Sequence, residues 1–149
     1  MKIVFIQTGG TIDKDYPQGE TNHGYEFKIG NPAVETILRK AKPLFEYEIL
    51  QLLKKDSLDI TDQDRKDVFN KIQSLTEDKI VITHGTDTIE TTAEALKGIN
   101  DKTIVLTGSM LPEKFYESEA DFNLGMAVAC AQTLPAGIYT VLNGKVKKI

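Results

Sequence analysis

A chain of 149 residues sits near the usual size of one compact domain, so residues 1–149 are read as a single domain with one hydrophobic core. Hydrophobic residues make up 40% and charged residues 27%, the proportions of an ordinary folded protein rather than a disordered or membrane chain. The formal charge is -4, and Lys and Arg are scattered among Asp and Glu instead of forming a stripe, which argues against a nucleic-acid partner.

After Met1 and Lys2 the apolar stretch covers only residues 3–6, too short for a signal peptide or a spanning helix. A cytoplasmic location without a membrane partner is the resulting expectation. Cys130 has no second cysteine to pair with, and on a helix face read as buried it behaves as a small hydrophobe.

Short apolar runs alternate with segments of helical period, the pattern of βαβ units around a mostly parallel sheet. The expected fold class is therefore α/β: a doubly wound, three-layered, Rossmann-like or flavodoxin-like domain. A first strand is predicted over residues 2–6, followed by a polar, Gly-rich stretch over 8–30 that is long for a loop, a length usually associated with function. Asn31 and Pro32 then read as the cap and first position of a helix carrying Ile37 and Leu38, with Pro43 near its end.

The second strand is predicted over 47–53. Thr61 caps the helix after it, with Asp62 and Asp64 in the first turn and Val68, Ile72 and Leu75 as its buried stripe. The third strand covers 79–83, and the following helix turns Ile89, Ala93, Leu96 and Ala95 inward. The fourth covers 103–106. A helix over 119–132 presents Phe122, Leu124, Ala127, Val128 and Ala131, and a fifth strand covers 137–142. Asn143-Gly144 is a hairpin signal leading to a last strand.

Polar clusters fall directly after the first four strands: Thr8 to Thr11, Lys55 to Ser57, His84 to Thr88, and Thr107 to Met110. A parallel sheet lines these ends along one edge, where open α/β sheets bind their ligands. Taken singly, each has an ordinary structural reading. Gly9-Gly10 makes a tight turn, Thr86, Asp87 and Thr88 cap a helix, His84 is a packed spacer, and Ser109 and the Asp56-Ser57 pair belong to loops. Together they supply hydroxyls (Thr11, Thr86) beside anions (Asp56, Asp87), which a hydroxyl nucleophile and a charged amino-acid substrate require. With two His and one Cys, well separated, no metal site is expected.

The motifs TGGTI at 8–12, KDSLD at 55–59, HGTDT at 84–88 and TGSM at 107–110 resemble the bacterial-type L-asparaginases. The resemblance spans nearly the whole chain but only the amino-terminal domain of the usual two-domain enzyme. Residues 13–16, 122–124 and 134–135 look closest to a short, single-domain branch. The resemblance implies that the threonine here numbered Thr11 attacks the side-chain carboxamide of asparagine, or of glutamine. Tyr16, or second Tyr25, assists from the adjoining loop over 12–30, which is expected to act as a lid.

Thr86 and Asp87 resemble the second half of the site. Asp56 and Ser57 resemble the residues that hold the substrate's ammonium and carboxylate, with Gly10, Gly85 and Ser109 lining the amide. The implied reaction is acyl transfer through a threonine ester, with oxyanion donors near Gly10 and Thr86 and no cofactor.

In the family a lysine that joins this site lies beyond the last hairpin, past Ile149, and Lys145, Lys147 and Lys148 read as a solvated, mobile tail. Two further expectations follow: a homo-oligomer, most simply a twofold dimer, and, as an alternative function, an amino-acid or amide-binding module with little turnover. A nucleotide-binding domain is a weaker alternative, since GxGxxG and GKS/T are missing.

Overall fold

A computed structural model describes residues 1–16 and 26–149. Along the chain come β1 (Lys2–Gly9), a short ribbon of β2 (Lys14–Asp15) and β3 (Lys28–Ile29), α1 (Ala33–Ala41), β4 (Glu46–Lys55) and α2 (Asp62–Ser74). They are followed by β5 (Lys79–Thr83), α3 (Ile89–Ala95), β6 (Thr103–Thr107), α4 (Ala120–Thr133), β7 (Gly137–Leu142) and β8 (Lys145–Lys148). The main sheet is six-stranded in the order β4-β1-β5-β6-β7-β8. All its pairings are parallel except that of β7 with β8. The chain's second parallel strand thus lies outside the first while the others follow on the far side, which is the flavodoxin-like form of the doubly wound fold.

The strands read as unbroken apolar runs because both faces of the sheet are covered. Ile3, Phe5, Val81, Val105 and Tyr139 pack with Val34, Ile37 and Leu38 of α1 and Leu124, Ala127 and Ala131 of α4. Val4, Ile6, Ile80, Ile82, Ile104 and Leu106 point the other way, against Val68 and Ile72 of α2 and Ile89, Ala93 and Leu96 around α3. No helix among the described residues is long and apolar enough to cross a membrane.

Several local expectations are corrected. β1 continues through Gln7 to Gly9, because backbone partners run on whatever the side chains are: Gln7 pairs with both Gln51 of β4 and Thr83 of β5, and Gly9 with Lys55 of β4. Thr8 and Gly9 are therefore strand, not turn. Asn31 does not cap α1: the helix begins at Ala33 without a local side-chain cap, and its first N–H donates to Asp13 Oδ1 at 2.7 Å, from 20 residues earlier.

Thr61 does cap α2, in a reciprocal capping box with Asp64 that contributes about 1 kcal/mol. Ala95 is exposed, since two residues of helix carry it roughly 200° around the axis from buried Ala93. Phe122 is 57% exposed. The inward place beside it belongs to Asn123, whose Nδ2 donates to Gly108 O at 2.9 Å while its Oδ1 accepts from Asn143 N at 2.8 Å.

The basic tail is not a mobile appendage. Asn143 and Gly144 adopt φ of 48° and 82°, as a primed two-residue hairpin requires, and Lys145–Lys148 pairs along β7. Lys147 Nζ lies 2.8 Å from Glu90, and Lys148 sits over the Tyr139 ring, 5.9 Å from its centre.

Candidate active site at the carboxyl edge of the sheet

Three strands that lie side by side, β4, β1 and β5, each end in a single 3₁₀ turn: Ser57–Asp59, Thr11–Asp13 and Thr86–Thr88. The strand order reverses at β1, so the turns meet at the topological switch point where doubly wound sheets open a crevice. Thr107 closes β6, next in line, and Gly108 to Met110 follow it.

Glycines allow these segments to touch. A Cβ added to Gly9 would stand 2.2 Å from Lys55 O, one on Gly85 2.5 Å from Ser57 Cβ, and one on Gly108 2.2 Å from His84 O. At Gly10, with φ of +90°, it would stand 2.3 Å from Gly85 N, so the residues preceding Thr11 and Thr86 are in backbone contact. Hydrogen bonds fasten the same junctions: Gly10 N–H to Lys55 O at 3.0 Å, Thr8 Oγ1 to Thr83 O at 2.7 Å, Thr88 Oγ1 to Ser57 O at 2.8 Å, and His84 N–H to Thr107 O at 2.9 Å. The Gly10 N–H thus already has an acceptor, which removes it from the oxyanion donors expected near that residue.

Thr11 and Thr86 are half-buried, Asp87 is exposed, and Gly10, Gly85 and Ser57 are buried. Thr86 Oγ1 approaches Met110 Sδ at 3.6 Å. Ser109 is withdrawn, its hydroxyl donating to Leu111 O. Asp56 is already engaged: Lys14 Nζ stands 2.9 Å from its Oδ2, and this hydrogen-bonded ammonium holds the Asp56 carboxyl below the usual carboxylate range.

His84 is a spacer. Fully buried, it contacts the Gly85 carbonyl through Nδ1 at 2.7 Å and Thr92 Oγ1 through Nε2 at 2.7 Å. A carbonyl only accepts, which puts the ring proton on Nδ1. Burial lowers its pKa, opposed by the bond to the Gly85 carbonyl and helped by the Arg65 charge.

Tyr16 follows β2 on the outer side of the Thr11–Asp13 turn. Its ring stacks on Phe27 at 4.5 Å, and Phe27 meets Phe115 edge-on at 5.5 Å. It lines a cavity of about 520 Å³ together with Asp13, Lys14, Glu35 and Arg39, and Thr11, Thr86 and Asp87 are not among the lining residues. Tyr25, and the middle of the segment expected to act as a lid, lie outside the described residues. At its base that segment is the β2–β3 ribbon.

Sequence reasoning missed Lys14, the partner of Asp56, whose signal was its place three residues after Thr11. It also missed Gln7, Asp13 and Thr83, buried polar residues flagged only by interrupting apolar surroundings at strand ends.

The family model described as Asparaginase, N-terminal, matches residues 2–148. An L-asparaginase of Thermococcus kodakarensis is 34% identical over 157 residues, covering 98% of this chain and 45% of the relative. A glutaminase-asparaginase of Acinetobacter glutaminasificans is 30% identical over 154 residues, covering 97% and 46%. The chain therefore spans less than half the length of these relatives. The solved structure of the thermostable L-asparaginase from Thermococcus kodakarensis superimposes with a TM-score of 0.82 at 32% identity, over 98% of this chain and 45% of that one. A probable cytoplasmic L-asparaginase from Campylobacter jejuni gives 0.77 at 25% identity, over 97% and 45%. With its four strand-end motifs joined at one edge and a match over nearly its entire length, the chain belongs to the asparaginase family, corresponding to the amino-terminal domain.

Proposed function

We propose that this chain, folded as one domain over residues 1–149, hydrolyses the side-chain amide of L-asparagine or of L-glutamine to the acid and ammonia. The observation that carries the reading is the backbone contact between Gly10 and Gly85, which brings the turns bearing Thr11 and Thr86 against one another. Thr11 Oγ attacks the carboxamide carbon. The new C–O bond replaces the C–N bond, and nitrogen leaves as ammonia carrying the hydroxyl proton. Water then adds to the ester, and the acid departs as the Thr11 hydroxyl is restored.

Thr86 and Asp87 orient and polarise that water, and Tyr16 is the assisting hydroxyl. Ser57 and Asp56 receive the carboxylate and ammonium of the amino acid, with Gly10, Gly85 and Ser109 shaping the amide end. With the Gly10 N–H engaged, the amides of Thr11 and Thr86 are the proposed oxyanion donors. No cofactor enters this scheme. The test is ammonia release from asparagine and glutamine by the purified chain. Stabilisation by asparagine without ammonia would instead mark an amide-binding domain.

Because Lys14 occupies Asp56, substrate ammonium has to displace it. Lys14→Met should lower KM for asparagine by up to about fivefold, the worth of an exposed ion pair, with kcat little changed. A rise in KM would mean that Lys14 helps hold the substrate.

We also infer a homo-oligomer, most simply a dimer. Leu58, Met110 and Tyr116 are exposed by 74%, 62% and 104% in the loops after β4 and β6, where covering them would lower free energy. Light scattering at micromolar concentration should give at least twice the chain mass, and a strict monomer refutes the inference. A cytoplasmic location, like that ascribed to the Campylobacter relative, is part of the same proposal.

A further inference from the structure

Three buried polar atoms gather beneath the Thr11 turn. Gln7 Oε1, Asp13 Oδ2 and Thr83 Oγ1 have no hydrogen-bond partner among the described residues, and the three residues are 1%, 3% and 1% exposed. Gln7 and Thr83 are register neighbours on β1 and β5, and both lie close enough to Asp13 to influence its ionisation. Unpartnered buried groups of this kind are costly, so three together call for an explanation.

The donors can be counted. Gln7 Nε2 donates to Gly30 O at 3.0 Å; that carbonyl only accepts, so the amide is fixed with Oε1 as its free acceptor. Asp13 Oδ1 accepts from Ala33 N–H at 2.7 Å. Gln7 Oε1 and Asp13 Oδ2 are therefore two acceptors with a single further donor in the group, the Thr83 hydroxyl, which bonds neither. A proton on Asp13 Oδ2 would give these two acceptors a second donor, so that neither the amide oxygen nor the carboxyl need stay unpartnered.

We propose that Asp13 is a positioning residue which, as a neutral carboxyl donating to Gln7 Oε1, clamps the turn carrying Thr11 onto the ends of β1 and β5. The importance of the clamp for turnover rests on the reading of Thr11 as nucleophile. Asp13 ties the turn through its backbone and one carboxyl oxygen: its N–H donates to Gly10 O at 3.2 Å, its carbonyl accepts from Gly30 N–H at 2.8 Å, and its Oδ1 accepts from the first N–H of α1. Neighbouring Ile12 is buried and accepts from Glu113 N–H at 3.1 Å.

Burial, the dominant influence, raises the Asp13 pKa from 3.8 to about 7, against the lowering effect of Ala33 N–H, Gln7, Thr83 and the Lys54 charge. The other charges around it have their own partners or line the outer cavity. Lys14 pairs with Asp56, Asp15 with Lys114 and Glu113 with Lys40, while Glu35 and Arg39 face the cavity from α1. A folded-state value above the unfolded one means that the stabilisation is complete below about pH 4 and is lost as pH rises through about 7.

The test compares the wild-type chain with Asp13→Asn, whose amide keeps an acceptor for Ala33 and a donor for Gln7, and Asp13→Ala, which keeps neither. Melting temperature is measured between about pH 4 and 8, with hydrogen exchange of the Ile12 to Lys14 amides and the kcat and KM of ammonia release. The proposal expects the wild-type melting temperature to fall across this range and that of Asp13→Asn to lose the slope. Exchange should be at least tenfold faster in Asp13→Ala and restored in Asp13→Asn, with the activity loss in kcat rather than KM.

An Asp13→Asn chain as loose as Asp13→Ala, or one that keeps the wild-type slope, overturns it, as does a loss confined to KM. A wild-type chain that releases no ammonia defeats the proposed hydrolysis, while the melting and exchange measurements still decide the role of Asp13.

Discussion

Thr11→Ala should lower kcat for ammonia release from asparagine by about 10⁴-fold or more, the scale of losing the nucleophile in a hydrolase whose catalytic groups act together. A threonine hydroxyl is a weak nucleophile at neutral pH and owes its reactivity to its position against a polarising partner. Here the partner turn is adjacent, through the Gly10 and Gly85 backbones, and it carries Thr86 and Asp87. Thr11 is half-buried at the rim, so the melting temperature should move by no more than about 2 °C, as for a substitution worth roughly 0.5 kcal/mol. Thr11→Ser keeps the hydroxyl and should retain measurable turnover. Were the alanine variant to keep a tenth of wild-type activity with Thr86→Ala inactive instead, the nucleophile would be Thr86.

Gly10→Ala should unfold about 10 °C below the wild type and lose nearly all activity. Two costs add. A side chain at φ of +90° is strained by about 1–3 kcal/mol, and its Cβ would lie 2.3 Å from Gly85 N and 2.5 Å from Gly85 Cα, so one of two strand-end turns must move. Together these reach roughly 3–5 kcal/mol, at about 2–4 °C for each kcal/mol in a chain of this size. The displaced turns are those that carry Thr11 and Thr86, which is why turnover falls with stability. Gly125 provides the contrast. It lies in α4 with nothing within 4 Å of an added Cβ, so Gly125→Ala should stabilise by about 0.5–1 kcal/mol through helix propensity. Thermal melts of both variants check the pair of opposite signs.

Where a stretch of chain carried its own instruction, it was legible before the structure. The run at Lys79–Thr83 and the one at Gly137–Leu142 are strands over those residues, because two-sided burial demands continuous apolar side chains. The hairpin at Asn143-Gly144 and the Thr61 cap were equally local. Failures had a common origin in distant partners. Asn31 was displaced as a cap by Asp13, β1 was prolonged past its apolar residues by ladders on both sides, and Phe122 yielded the inner place to Asn123, which bridges Gly108 and Asn143. The candidate site divides the same way: the motif positions at 8–12, 55–59, 84–88 and 107–110 were visible, but neither the Lys14–Asp56 pair nor the buried Gln7–Asp13–Thr83 group was.

Composition and period by themselves determined a doubly wound α/β domain and put hydroxyl, carboxylate and glycine residues at the ends of its strands, since hydrophobic periodicity is a property of neighbours in the chain. Tertiary structure alone decided that Gly10 abuts Gly85, that Lys14 neutralises Asp56 and that Asp13 is buried. Close approach and desolvation arise only when segments tens of residues apart pack together, and those two effects govern the geometry and the proton affinities on which the proposed chemistry depends.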